Sequence, residues 1–299
     1  MSENADENDA GLFGRPMKVG GFGAACDRER RGLVLSKADI CDPTLQYFRV
    51  SEPHNRNNPR GICLLINQRD FDREKTGQER RDGTDVDADA IERTFVKLGY
   101  SVNRATNLTL RKMQMLLSNV SCQDHSHFDS FVCVVLSHGS DGIIYASDGY
   151  LPADNLISFF RGDRCPSLVG KPKMFFIQAC RGSAFDRGVC LASDAGADDV
   201  LVCKLPAEAD ILVANSTVPG YFAWRNSNTG SWFIQELCTV LSADAASSSE
   251  HFDILTLLAV VSRKVALLYE SNTGQPGSHG MKQMVSVSST LTRRAFLTG

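Results

Sequence analysis

A short apolar run that stops on a cysteine constrains this chain more than any other feature. Met174, Phe175, Phe176 and Ile177 are apolar without interruption and lie between Pro172 and Gly182. Four large side chains in a row leave no polar face for water, so the run fits a strand covered on both sides. It ends in Gln178-Ala179-Cys180-Arg181-Gly182, which delivers a thiol to the carboxyl end of a core strand. In open α/β sheets that edge is where active sites gather. A second apolar run, Ser130–Leu136, ends on Ser137-His138-Gly139, 42 residues before Cys180. Two neighbouring parallel strands would bring that imidazole to the thiol.

The remaining patterns surround these two runs with alternating strands and helices. Gly61 to Ile66 reads as the first apolar strand. Thr84-Asp85-Val86-Asp87 has the capping-box pattern and opens a helix with Ile91, Phe95 and Leu98 on its apolar face. Tyr100 to Asn103 is a strand, and Leu110, Met113, Leu117 and Val120 form one side of a helix. Ile143–Tyr145 and Tyr150-Leu151 make a hairpin around Asp148-Gly149, and Asn155 to Phe160 a short helix. Asp210 to Asn215 is a strand; helices run from about 231 to 243 and from 254 to 269, and Met284 to Leu291 is the last strand. Strands alternating with helices predict an α/β fold, a mostly parallel sheet with helices on both faces. Residues 183–205, rich in Gly, Ala, Ser and Asp, read as an exposed linker. Residues 1–58 sustain no periodicity and read as a mobile leader.

Composition narrows the function classes. Hydrophobic residues at 42% with 22% charged suit a globular chain with a real core. A net charge of −3 gives no electrostatic reason to expect nucleic acid or an anionic membrane as partner. No apolar run approaches a membrane span, and the acidic start is no signal peptide. The ten cysteines include no Cys-x-x-Cys pair, so neither a disulfide framework nor a zinc site is expected, and no cofactor. Cys63 and Cys133 sit inside apolar runs as small buried hydrophobes. The expected compartment is the reducing cytoplasm. The Asn-x-Ser/Thr triplets at Asn107, Asn119 and Asn215 are then chance matches.

A thiol beside an imidazole is the pairing needed for nucleophilic attack on an amide. A free cysteine is only a few per cent thiolate at pH 7 and needs a base, which can later protonate the leaving amine. Gly139 lets backbone approach closely, and its amide with that of Cys180 can meet an oxyanion. Gln-Ala-Cys-Arg-Gly together with the upstream Ser-His-Gly resembles the caspase family, over about residues 60 to 297. The resemblance implies a caspase-like α/β/α sandwich on a six-stranded sheet. Cys180 and His138 become the catalytic pair, with the histidine oriented by the backbone carbonyl of Glu79. It further implies a pocket for a substrate aspartate built from Arg81, Gln178 and Arg225. Phe222 and Trp224 match family positions that shape the adjacent subsites, and Asn226 matches a polar position near the substrate's fourth residue upstream of the cut. Arg80, next to Arg81, reads as a surface charge.

The same resemblance divides the folded part into a large unit, 59–194, and a small unit, 195–299, produced by cutting the linker. Asp194 matches the processing position, with Asp186, Asp198 and Asp199 as lesser alternatives, and Asp9 offers a leader-trimming site. The expected protein is an executioner-type cysteine endopeptidase cutting after aspartate, with Asp-Glu-x-Asp as its best sequence. It would act in apoptosis as a homodimer of processed units paired through the last strand. Its partners would be protein substrates with exposed aspartates, an activating protease and inhibitor proteins. The competing reading is a silent caspase-like regulator, which would be expected to lack Cys180, His138 or a pocket arginine. The segment from Asn272 to Gly280 lacks the aromatics that many relatives place over the fourth subsite, and Ser286 stands where they often carry cysteine.

Overall fold

The computed structural model describes residues 41–47, 58–140, 142–182, 206–273 and 278–298. Its centre is a six-stranded sheet in the order β11-β8-β7-β3-β1-β2. The strands are β1 Gly61–Asn67, β2 Tyr100–Thr106, β3 Ser130–Leu136, β7 Lys173–Gln178, β8 Ile211–Asn215 and β11 Ser286–Ser289. All neighbours run parallel except β11, which is antiparallel to β8. A separate three-stranded sheet joins β4 Gly139–Ser140, β5 Ile143–Tyr145 and β6 Tyr150–Pro152. The pair β9 Arg225–Asn226 and β10 Gly230–Ser231 closes a two-stranded turn.

Period-two alternation explains why the central strands read as unbroken apolar runs. In β3, Val132, Val134 and Leu136 join one core cluster, while Phe131, Cys133 and Val135 join the other. The first cluster is roofed by α2 Thr84–Lys97, α5 Trp232–Ala245 and α6 Ile254–Leu268. The second is covered by α3 Leu110–Ser121 and α4 Ala153–Ser158. A one-turn helix, α1 Arg73–Thr76, precedes them in the chain. Burial on both faces leaves no polar side chain between Phe131 and Leu136 in β3 or between Met174 and Ile177 in β7, up to their carboxyl ends. That is where chemistry can start.

Several elements differ from their sequence reading, each for a physical reason. The capping box at Thr84 is not formed: Gly83 is the N-cap, with no side-chain cap. The Thr84 hydroxyl instead donates to Asn67 Oδ1 at 2.7 Å and accepts from Arg81 at 2.7 Å. The last strand is Ser286–Ser289 rather than the longer span, because those four residues hold ladder register with β8; past them the contact dwindles to Thr290, whose N donates to Ile211 O at 2.8 Å. β2 runs on to Thr106 in parallel register with β1, and the short helix α4 starts and ends two residues earlier than expected. Part of the stretch read as a mobile leader is docked. Tyr47 is buried, its hydroxyl donates to Asp210 Oδ1 at 2.6 Å, and Gln46 bridges Arg294. Among the described residues no helix is long and apolar enough to cross a membrane, and no group of His, Cys, Asp and Glu could hold a metal.

Candidate active site

The register of two strands sets the site. Leu136 of β3 pairs with Gln178 of β7, so His138 and Cys180 each lie two residues past a matched position at the same sheet edge. The Ser137 amide donates to Gln178 O at 3.1 Å and extends the ladder beyond both strands. The chain around His138 is held on both sides. Tyr145 N donates to the His138 carbonyl at 3.0 Å, and the Ser137 hydroxyl donates to Tyr145 O at 2.6 Å. Phe71 packs against the imidazole with ring centroids 5.0 Å apart.

The imidazole Nε2 lies 2.8 Å from Glu79 O. A carbonyl can only accept, so Nε2 carries the proton and Nδ1 is left as the basic nitrogen. Burial lowers the His138 pKa to about 4; the Glu79 contact opposes this, and the charges of Arg81 and Arg225 add to it. At neutral pH the ring is an uncharged base.

Cys180 is a free, half-buried thiol. Its neighbours are pinned. Ala179 N donates to Ser216 Oγ at 3.3 Å, and that hydroxyl donates to Ala179 O at 3.0 Å. Arg181 N donates to Tyr221 O at 3.0 Å, and Gly220 N to Arg181 O at 2.7 Å. Burial raises the thiol pKa; a hydrogen bond from the Ala223 backbone and the Arg81 and Arg225 charges pull it back. A Cβ on Gly139 would stand 2.5 Å from Cys180 O, so no side chain can intervene between the two backbone segments.

Arg81 is 1% exposed and forms no ion pair among the described residues. One guanidinium nitrogen donates to Gln68 O at 3.0 Å and to Thr84 Oγ1, while its Nε is buried with no partner. Burial, then the neighbouring Arg225 charge, presses this guanidinium well below its ordinary pKa. Arg225 is half-buried, donates from Nε to Asp82 O at 2.8 Å, and is lowered by burial as well. Gln178 is 1% exposed, with Oε1 buried and unpartnered. The orphan Gln178 Oε1 is an acceptor, whereas Arg81 holds an unpartnered N–H donor out of water with the half-buried Arg225 charge beside it. A carboxylate matches that need in charge and in geometry.

The structure brings the remaining candidates to the same rim. Phe222 and Trp224 tilt against each other with centroids 5.7 Å apart. Asn226 is exposed, but its Oδ1 accepts from Asn228 N and Thr229 N at 2.8 and 3.1 Å. That oxygen fastens the β9–β10 turn, which leaves only the amide nitrogen for a ligand. Asp194 and Asp9 lie outside the described residues, as does the linker 183–205. Sequence reasoning missed Trp232, which stacks on Trp224 at 5.7 Å and leads to Tyr269 at 5.3 Å. It also missed Gln283, whose buried amide accepts from Trp224 N at 2.7 Å and donates to Ser216 O at 2.8 Å. Neither carries a local motif.

Comparison with known proteins agrees with this geometry. The family profile described as Caspase domain matches residues 60–296. The chain belongs to the caspase family. It is 47% identical to Caspase-3 of Bos taurus over 237 residues, 79% of this chain and 84% of that protein. Caspase-3 of Mus musculus is 46% identical over the same length, covering 79% and 83%. Among solved structures, the crystal structure of Caspase-1 from Spodoptera frugiperda superposes with a TM-score of 0.74 at 36% identity, covering 86% of this chain and 94% of that one. This caspase is a cysteine-type endopeptidase of the executioner type, directed to aspartate and acting in apoptosis.

Proposed function

We propose that Cys180 is the nucleophile, that His138 is its base, and that Arg81, Gln178 and Arg225 bind the substrate's aspartate side chain. The observation that carries this reading is the unpartnered donor of Arg81, nearly excluded from water with the Arg225 charge and a half-buried thiol beside it. His138 Nδ1 takes the thiol proton as sulfur attacks the carbonyl carbon. The amides of Gly139 and Cys180 receive the oxyanion. The imidazolium then gives its proton to the leaving amine as the C–N bond breaks, leaving a thioester. Water, deprotonated by the same nitrogen, hydrolyses it and frees the thiol.

Phe222 and Trp224 line the next subsite, and Asn226 serves the outer acidic residue of an Asp-Glu-x-Asp sequence. The chain is made as a zymogen with a leader, 1–58, a large unit, 59–194, and a small unit, 195–299. An upstream protease cuts after Asp194, self-trimming follows after Asp9, and inhibitor proteins restrain the product. Glu79, Arg81 and Cys180 precede the linker and Arg225 follows it, so a continuous linker restrains both halves of one pocket. β11 lies at the end of the sheet order with Val287 exposed. A two-fold pairing of β11 with its own copy would cover that edge. The processed enzyme works in the cytoplasm. Profiling the purified chain on a tetrapeptide library, with and without trace activating protease, tests this reading. The expected result is strong turnover on Asp-Glu-x-Asp peptides that rises on linker cleavage. Comparable turnover on peptides ending in lysine or arginine would refute it.

A further inference from the structure

Two segments distant in sequence meet beside the aspartate pocket. One runs from Arg81 to Asp87 and the other from Arg225 to Gln235, and each carries one pocket arginine. They approach without spacers. A Cβ on Gly83 would stand 2.5 Å from Asn226 O, and one on Gly230 would stand 2.3 Å from Asp87 Oδ1. Gly230 also has φ +86°, a left-handed conformation that other residues avoid.

Asp87 lies in the first turn of α2 and is fully buried. Its carboxylate reaches across to the other segment. Ser231 N donates to Oδ1 at 2.9 Å and to Oδ2 at 3.2 Å, and Gln235 Nε2 donates to Oδ1 at 2.7 Å. Ser231 is the N-cap of α5, and its own side chain makes no cap hydrogen bond. Asp87 therefore supplies an acceptor to that helix start from outside the helix, where a negative charge is favoured. Ser231 is also the register partner of Arg225 in the β9–β10 pair. Holding Ser231 holds the backbone that carries Arg225, whose Nε is in turn tied to Asp82 O.

A carboxylate buried this deeply needs a reason, since desolvation disfavours it. Burial pushes the Asp87 carboxyl up; the bonds from Gln235 and Ser231 and the Arg81 charge hold it back. Its charge also supports both guanidinium groups against the burial that weakens them.

We propose that Asp87 is a positioning residue of the aspartate pocket, joining the strand of Arg225 and the start of α5 to the segment of Arg81 and so fixing the spacing of the two arginines. The proposal rests on the reading of Arg81, Gln178 and Arg225 as that pocket. Once the linker is cut, these hydrogen bonds connect two separate chains. Asp87 is bonded to neither Cys180 nor His138, so its loss disturbs recognition of the aspartate and spares the chemistry.

Steady-state kinetics on a peptide with aspartate before the scissile bond, and on its glutamate twin, test this with the processed full-length protein. Asp87→Ala should raise KM for the aspartate peptide about tenfold or more, with kcat changed by no more than about threefold. The aspartate-over-glutamate preference should fall. Alkylation of Cys180 by iodoacetamide, which needs no pocket, should keep its rate. Asp87→Asn retains the acceptor oxygen and the volume, and should recover most of the loss in KM. If Asp87→Ala does not fold, Gln235→Ala removes one bond of the set and should raise KM severalfold with the same loss of preference. Unchanged KM and preference in the alanine variants would overturn the proposal. So would a joint fall in kcat, KM performance and alkylation that Asp87→Asn does not recover. Failure of the wild-type chain to cut after aspartate would instead remove the pocket reading itself.

Discussion

At the residue scale the site couples a neutral thiol to a neutral imidazole. Burial raises Cys180 and lowers His138, so both shifts disfavour a resting thiolate–imidazolium pair. The sign is testable through alkylation of the unliganded protein. The rate of Cys180 modification by iodoacetamide should climb only as pH passes above the ordinary thiol range, because thiolate is the reacting form. A shoulder between pH 4 and 7 would show an ion pair and contradict the account. Cys180→Ser should reduce turnover on peptide by at least about 10³-fold, and His138→Ala should do nearly as much, since the two act as a unit. Retention of more than a small percentage of turnover by Cys180→Ser would reassign the nucleophile. The residues of this scale that were legible in the sequence are those inside contiguous patterns, such as Cys180 within its pentapeptide. Asp87 and Gln283 were not, because their partners lie 144 and 59 residues away and a single sequence carries no trace of that contact.

At the element scale, the strands that deliver the site owe their rigidity to being buried on both faces. Phe131 is fully buried, stacks on Phe160 at 4.2 Å and meets Phe175 edge-on at 6.2 Å. Phe131→Ala should lower unfolding free energy by about 3–5 kcal/mol, measured by denaturant titration. A loss below about 1 kcal/mol would mean that the site collapses freely and that packing does not brace β3. Element type and order were readable because unbroken apolar runs and helical periodicity are strong signals. Element ends were less so. Thr84 has the sequence of a cap, yet its hydroxyl serves Arg81 and Asn67, so a tertiary contact overrode local preference. The last strand shortened because pairing with β8, which pattern cannot show, sets its ends.

At the scale of the whole molecule, two expectations concern assembly and activation. Val287 on the end strand β11 is 39% exposed. Val287→Glu would place like charges across a two-fold axis, and should shift processed enzyme from a dimer to a single large-plus-small unit in sedimentation. An unaltered dimer would place the interface elsewhere. Activation should depend on the linker: Asp194→Ala should block processing and hold peptidase activity low, followed by mass spectrometry for a chain that starts at Ala195. Normal processing of that variant would move the switch to another aspartate. The central claim remains the pairing of a cysteine nucleophile with a pocket made for one carboxylate. Its most direct test is kcat/KM of the processed enzyme on two peptides that differ only by aspartate or asparagine before the scissile bond. The asparagine side chain keeps the shape and removes the charge, leaving buried Arg81 and half-buried Arg225 without a substrate counter-ion. The account predicts a ratio on the order of 10³ or more in favour of aspartate; a ratio within tenfold would contradict it.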